Sequence, residues 1–104
     1  MLIYSDMGKL SNKNAAALAG TFKVLGDPAR VRILDALANA EVAVCDLAEI
    51  VGLTQSAVSH QLRLLRSSRL VKSRRDGRHI YYSADDQHIV KLFDQALKHV
   101  QERQ

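Results

Sequence analysis

The side chains best equipped for chemistry lie toward the C-terminal end: Asp86 and His88, then His99 and Glu102. Two imidazoles and two carboxylates make a nitrogen–oxygen set that suits a tetrahedral zinc ion and tolerates cobalt. Soft ions such as cadmium, lead or arsenite would want thiolates, and the chain has a single cysteine, Cys45. Nickel would prefer more ligands than this set offers. Spacing then sets a limit. On one helix His88 and His99 fall about 20° apart around the axis but roughly 16 Å apart along it. A zinc–nitrogen bond is only about 2.0–2.1 Å long, so no ion bridges the two within one helix. His99 and Glu102 share a helix face. Asp86 and His88 would diverge in a regular helix, which puts Asp86 at the helix entrance, where the backbone is not yet helical. On residue types alone, four ordinary exposed helix positions explain the pattern better than a metal site does.

A second concentration of chemistry lies upstream. Arg63, Arg66, Arg69, Lys72, Arg74, Arg75 and Arg78 are relieved only by Asp76, which leaves that segment at +6 and the remainder at −2 in a chain of net +4. A local basic patch on a near-neutral body is the electrostatic footprint of a protein that grips phosphates. Charge runs in general are solvated faces. This one coincides with a helical pattern whose outer face is polar throughout: Gln55, Ser56, Ser59, His60 and Arg63 oppose Val58, Leu62 and Leu65.

The elements that must position these groups follow from periodicity and punctuation. Leu18, Phe22 and Leu25 recur at helical spacing over Asn12–Leu25, and Gly26 ends that helix. Asp27-Pro28 reads as an N-cap and a proline at the first helical position, opening a helix to about Asn39 that carries Val31, Ile33, Leu34 and Leu37. Leu47, Ala48 and Val51 line the inner side of a short helix over Val44–Val51. Gly52 turns the chain, and Thr54 caps the helix with the polar face. Leu70–Arg75 and Arg78–Ser83 read as strands around Asp76-Gly77, a strong tight-turn signal. Asp85–Arg103 is helical again, with Ile89, Phe93, Leu97 and Val100 as an apolar stripe.

Four helices, a hairpin and a helix make a mainly α fold with a small β-hairpin, a winged helix-turn-helix. Such a fold places its second helix in the major groove. Thr54, Gln55, Ser56, Ser59, His60 and Arg63 are the expected DNA-facing residues. Arginine suits guanine and glutamine suits adenine. Arg74, Arg75 and Arg78 bracket the hairpin turn and are expected on phosphates or in the neighbouring minor groove. Residues 1–10 read as a weakly ordered arm, and 11–104 as one domain for DNA binding and dimerisation.

Length and composition bound the alternatives. With 104 residues, 47% hydrophobic and 25% charged, the chain is an ordinary globular domain, not a disordered one. No apolar run approaches the roughly 20 residues that cross a bilayer, the N-terminal stretch lacks the pattern of a secretory signal, and a lone cysteine makes no internal disulfide. The reading is cytoplasmic, with no membrane partner.

The stretch VCDLAEIVGLTQSAVSHQLRLLRSSRLVKSRRDGRHIYYS, with GDPARVRIL upstream, closely resembles the ArsR/SmtB family of metal-responsive repressors, from about Phe22 to Glu102. The resemblance implies a homodimer, binding to a pseudo-palindromic operator, and release of DNA when metal binds. It also implies the zinc role of Asp86, His88, His99 and Glu102, whose D-x-H and H-x-x-E spacing is similar to the family's terminal-helix site. Two copies of that helix packed antiparallel would set Asp86 and His88 beside His99 and Glu102 of the other copy. Two-fold symmetry then gives two sites.

The family's second site resembles E-L-C-V-C-D. Here Glu41-Val42-Ala43-Val44-Cys45-Asp46 has alanine at the first cysteine position, and Cys45 is expected to be half-buried. His60 is expected to face DNA and His79 to sit on the wing. The resemblance further implies that the free ring nitrogen of His99 bonds a backbone carbonyl near Arg69, linking the metal to the reading helix. Set against a zinc-responsive repressor are a repressor of the same fold answering a non-metal or thiol-redox signal through Cys45, and a metal-buffering protein. A metal-dependent hydrolase is disfavoured, because no further nucleophile or acid/base pair is patterned nearby, and the chain reads as a non-enzyme.

Overall fold

Four of the five helices among the described residues begin where a short polar side chain receives a backbone N–H. The computed structural model describes Tyr4 and residues 7–104. Of the arm expected at 1–10, residues 1–3, 5 and 6 lie outside the described residues. Ser11 accepts from the Asn14 N–H at 3.0 Å to open α1 (Asn12–Leu25), and Asp27 accepts from Arg30 at 3.1 Å to open α2 (Pro28–Leu37). Thr54 does the same for α4 (Gln55–Ser67), accepting from Ala57 at 3.1 Å. Asp86 accepts from Ile89 at 3.1 Å to open α5 (Gln87–Glu102). Each such cap is worth about 1 kcal/mol. The eight-residue α3 (Val44–Val51) has no side-chain cap.

Two helix ends share one geometry with different residues. At the end of α3, Gly52 is left-handed (φ 73°), and the Leu53 N–H reaches back to the Ala48 carbonyl at 3.0 Å. At the end of α4, Arg69 takes that left-handed position (φ 58°), with Leu70 N–H to Leu65 carbonyl at 3.0 Å and Arg69 N–H to Arg66 carbonyl at 3.0 Å. Both are Schellman ends, for which glycine is the usual residue.

The expected hairpin is present, shifted by one residue, and a third strand joins it. β2 (Val71–Asp76) and β3 (His79–Ala84) pair antiparallel from Val71↔Ala84 to Asp76↔His79. The loop is therefore Gly77-Arg78 rather than Asp76-Gly77. Gly77 (φ 62°) occupies the first central position with Arg78 outside the left-handed region, as in a type II′ turn. β1 (Val42–Ala43) pairs with β3 on its other side, giving the order β1-β3-β2. Two residues carry no readable period, and this strand was not expected.

The core lies where α2, α3 and α4 meet the base of the hairpin. Ile33, Leu34 and Leu37 pack with Leu47, Val58, Leu62, Leu65, Leu70, Val71 and Tyr82. By contrast, α1 and α5 bury no residue completely. Their apolar faces, including Phe22 at 53% and Val100 at 50% exposure, meet across an open groove. The radius of gyration is 16.2 Å, against roughly 13 Å for a compact domain of about 100 residues. Burial of each such side chain is worth about 1.5–3 kcal/mol, a gain this face does not realise within one chain.

Candidate nucleic-acid interface and metal half-sites

Helix α4 turns Val58, Leu62 and Leu65 fully inward, so its opposite side is presented to solvent. Gln55, Ser56, His60 and Arg63 are exposed there and Ser59 is half-buried. Thr54 is exposed as well, with its hydroxyl engaged in the cap. The polar face read from the sequence is thus one continuous surface at the start and middle of the helix. The glycine turn at Gly52 brings α3 across behind it. This is the arrangement of a helix-turn-helix reading unit.

The wing extends the basic surface, but its arginines are not equivalent. Arg75 and Arg78 are exposed, and neither takes part in an ion pair among the described residues. Arg74 is engaged three times over. It gives three hydrogen bonds to Glu41, the shortest of 2.6 Å from Nη2, lies 3.8 Å from Asp76, and stacks at 4.9 Å over the Tyr81 ring. The Arg74 hydrogen bond holds the Glu41 carboxyl below its ordinary range, and the same contact raises Arg74. Glu41 lies just before β1, so the pair ties the wing to that strand.

The four expected metal ligands occupy the two ends of α5. Asp86 stands in extended backbone (φ −153°) as the N-cap, as its spacing from His88 required. Its Oδ1 lies 3.4 Å from His88 Nδ1. The Ile89 N–H, aided by neighbouring His88, holds the Asp86 carboxyl below its usual range. His88, His99 and Glu102 are all exposed. Among the described residues of one chain, no three His, Cys, Asp or Glu side chains converge on a possible ion position. The structure brings together Asp86 with His88 and leaves His99 with Glu102 at the far end. Each end offers one imidazole and one carboxylate, a donor set that fits half of a tetrahedral nitrogen–oxygen site.

Other expected residues need adjustment. Cys45 is exposed rather than half-buried, because the first turn of α3 directs Leu47 and Ala48 inward and leaves Cys45 and Asp46 outside. His60 and His79 are exposed on α4 and on the wing. Arg69, expected near the end of the reading helix, sits at the left-handed end of α4. The next carbonyl, of Leu70, accepts from the Asp85 N–H at 3.0 Å, so one backbone bond already joins the end of α4 to the entrance of α5. Sequence reasoning missed Glu41 and the Arg30–Gln61 hydrogen bond of 2.8 Å, whose partners are 31 residues apart and follow no period. No helix among the described residues is long and apolar enough to cross a membrane.

These elements define a winged helix-turn-helix protein with a bare α1/α5 face. Comparison with known proteins agrees. The profile described as bacterial regulatory protein, arsR family, matches residues 27–73. The chain is 50% identical over 93 residues to the transcriptional repressor SmtB homolog of Synechocystis sp., spanning 89% of this chain and 70% of that protein. It is 38% identical over 94 residues to a cadmium resistance transcriptional regulatory protein CadC homolog of Staphylococcus aureus, spanning 89% and 78%. Among solved structures, the homodimeric winged helix-turn-helix DNA-binding domain Mb0332 of Mycobacterium bovis superposes with a TM-score of 0.82 at 32% identity, over 93% of each chain. The chain belongs to the arsR family of bacterial regulatory proteins.

Proposed function

We propose that this protein is a metal-responsive transcriptional repressor. It binds a pseudo-palindromic operator as a homodimer and leaves it when zinc occupies a site shared between the terminal helices. The observation that carries this reading is the division of the ligands. Asp86 and His88 lie at one end of α5 and His99 and Glu102 at the other, on a helix whose apolar face is bare. A second copy packed antiparallel covers that face and completes both half-sites in one step. The names of the relatives support repression and a response to metal, one of them being a cadmium resistance regulatory protein. The nitrogen–oxygen set here, without a second cysteine, favours zinc over softer ions and leaves cobalt as a substitute.

When bound, the ion supplies a charge and a fixed geometry that hold two α5 helices in one arrangement. Gln55, Ser56, Ser59, His60 and Arg63 read base edges, while Arg75 and Arg78 contact phosphate. Thr54 keeps the start of α4 in shape. The second ring nitrogen of His99 needs a partner, as that of a metal-bound imidazole generally does. A backbone carbonyl near Arg69 meets that need and passes the metal-bound arrangement to the reading helix. Whatever factor zinc takes from DNA affinity, DNA takes from zinc affinity.

The test is a zinc titration of the protein bound to labelled promoter DNA, followed by anisotropy, with Asp86→Ala and His99→Ala alongside. Release from the parent but not from the variants is the expected result. A parent complex that persists at saturating zinc would refute the metal reading and turn attention to oxidation at exposed Cys45.

A further inference from the structure

Arg30 joins three helices. Its backbone N–H completes the Asp27 cap, its Nε donates to Gln61 Oε1 at 2.8 Å, and its Nη1 donates to the Val24 carbonyl at 3.3 Å. Val24 lies in the last turn of α1, where helix carbonyls lack intrahelical partners. Gln61 lies on the flank of α4, half-buried, next to DNA-facing His60. One planar guanidinium therefore runs from the helix that carries the bare apolar face to the helix that carries the reading face.

The physical need for such a bridge follows from how α4 is otherwise held. Val58, Leu62 and Leu65 fix it to the core through apolar contacts, which are non-directional. Side chains reach about 5–6 Å from a helix axis, so a rotation of about 10° carries a tip through about 1 Å. That displacement exceeds the width of about 0.5 Å of the 2.7–3.2 Å range within which a hydrogen bond to a base edge is made. A directional bond on the flank of α4 fixes the rotation that apolar packing leaves soft. Arginine is suited to it because its donors are locked in one plane, so the bonds to Val24 and Gln61 constrain each other. A lysine would replace the planar fork by a single rotatable ammonium.

We infer that Arg30 and Gln61 are positioning residues for sequence reading: they set the rotation of α4 relative to α1 without touching DNA. This rests on the DNA-binding reading above. They therefore govern the preference for operator over random sequence more than the overall grip on phosphate.

The test uses the full chain and two labelled duplexes: one recovered by selection against this protein from a random pool, and one of random sequence. Affinities are measured across a range of salt for the parent, Gln61→Leu, Arg30→Met and the double variant, with folding checked by thermal melting. Each single variant is expected to lower the ratio of selected to random affinity about tenfold with an unchanged salt slope, and the double variant to be no worse than either. An unchanged ratio in variants that merely melt earlier would overturn the inference and leave a structural bond only. A salt slope lower by about one would overturn it in favour of direct phosphate contact. Multiplying losses in the double variant would also overturn it, since the two residues would then act separately. A parent protein that binds neither duplex would refute the DNA-binding reading itself, a result separate from any of these.

Discussion

Glu41 holds the guanidinium of Arg74 by three bonds, Nη2 to Oε1 at 2.6 Å and Nε to Oε2 at 3.1 Å and to Oε1 at 3.3 Å, while the Tyr81 ring lies beneath it. The pair is half exposed, so its worth in stability is small. Its consequence is geometric, because the most central arginine of the wing already has a carboxylate. Substituting Arg75 or Arg78 by alanine should therefore lower the salt slope of DNA binding by about one each. Arg74→Ala should lower it by clearly less. Affinity measured over a salt series for the three variants checks this, and equal slopes for all three would place Arg74 on phosphate too.

The same pair has a pH signature. Hydrogen bonding to Arg74 depresses the Glu41 carboxyl below its ordinary value of 4.5. A group lowered in the folded state contributes its stabilisation above the ordinary value and loses it as pH falls through the folded one. The wing latch should thus be intact at neutral pH and open only in acid, below 4.5. An NMR titration of the Glu41 side-chain carboxyl, with the Arg74 Nε–H as reporter, should show both moving together at a midpoint below 4.5. In Arg74→Ala the Glu41 midpoint should return toward the ordinary value.

How far all this was legible in the chain depends on where each partner lies. The starts of α2 and α4 could be read because Asp27 and Thr54 place their caps three residues from the N–H they receive, within one sequence window. The wing turn was read one residue early because Asp76-Gly77 favours a type I′ loop, whereas Gly77 alone, at φ 62°, defines the turn. Arg30 with Gln61, and Glu41 with Arg74, join residues more than thirty positions apart. No period announces such a pair. The four residues proposed as metal ligands were legible only as two halves, Asp86 with His88 and His99 with Glu102, because they stand at opposite ends of α5.

Arg69 offers a test of local strain. A non-glycine residue in the left-handed region costs about 1–2 kcal/mol, part of which glycine returns through its freedom in the unfolded chain. Arg69→Gly should stabilise the protein by about 0.5–1 kcal/mol, and Arg69→Ala should not, because alanine keeps the Cβ. Urea midpoints for the two variants separate strain from the loss of a charged side chain, which they share.

The core makes a sharper demand. Leu62 is fully buried between α4 and its neighbours. Leu62→Ala should cost about 2–5 kcal/mol, a large part of the 5–15 kcal/mol typical of a whole domain. Thermal melting should show it. A loss below about 1 kcal/mol would mean that α4 packs more loosely than its burial indicates.

In the proposed dimer the bare α1/α5 face connects assembly to metal binding, and one substitution far from the proposed ligands examines both. Leu18, on α1, is 46% exposed and shares a face with Phe22 one turn on. If a second copy covers this face, Leu18→Glu puts a charge into the interface twice by symmetry. Losing even about 1.5 kcal/mol of burial per copy weakens the dimer by roughly a hundredfold or more. Sedimentation should then show a monomer at concentrations where the parent is a dimer. Asp86, His88, His99 and Glu102 are all intact in that variant, so a site built within one chain would keep its zinc. A shared site would lose it together with the dimer. His99→Ala should give the opposite pattern, with the dimer kept and zinc lost. Tight zinc binding by the Leu18→Glu monomer would overturn the shared arrangement.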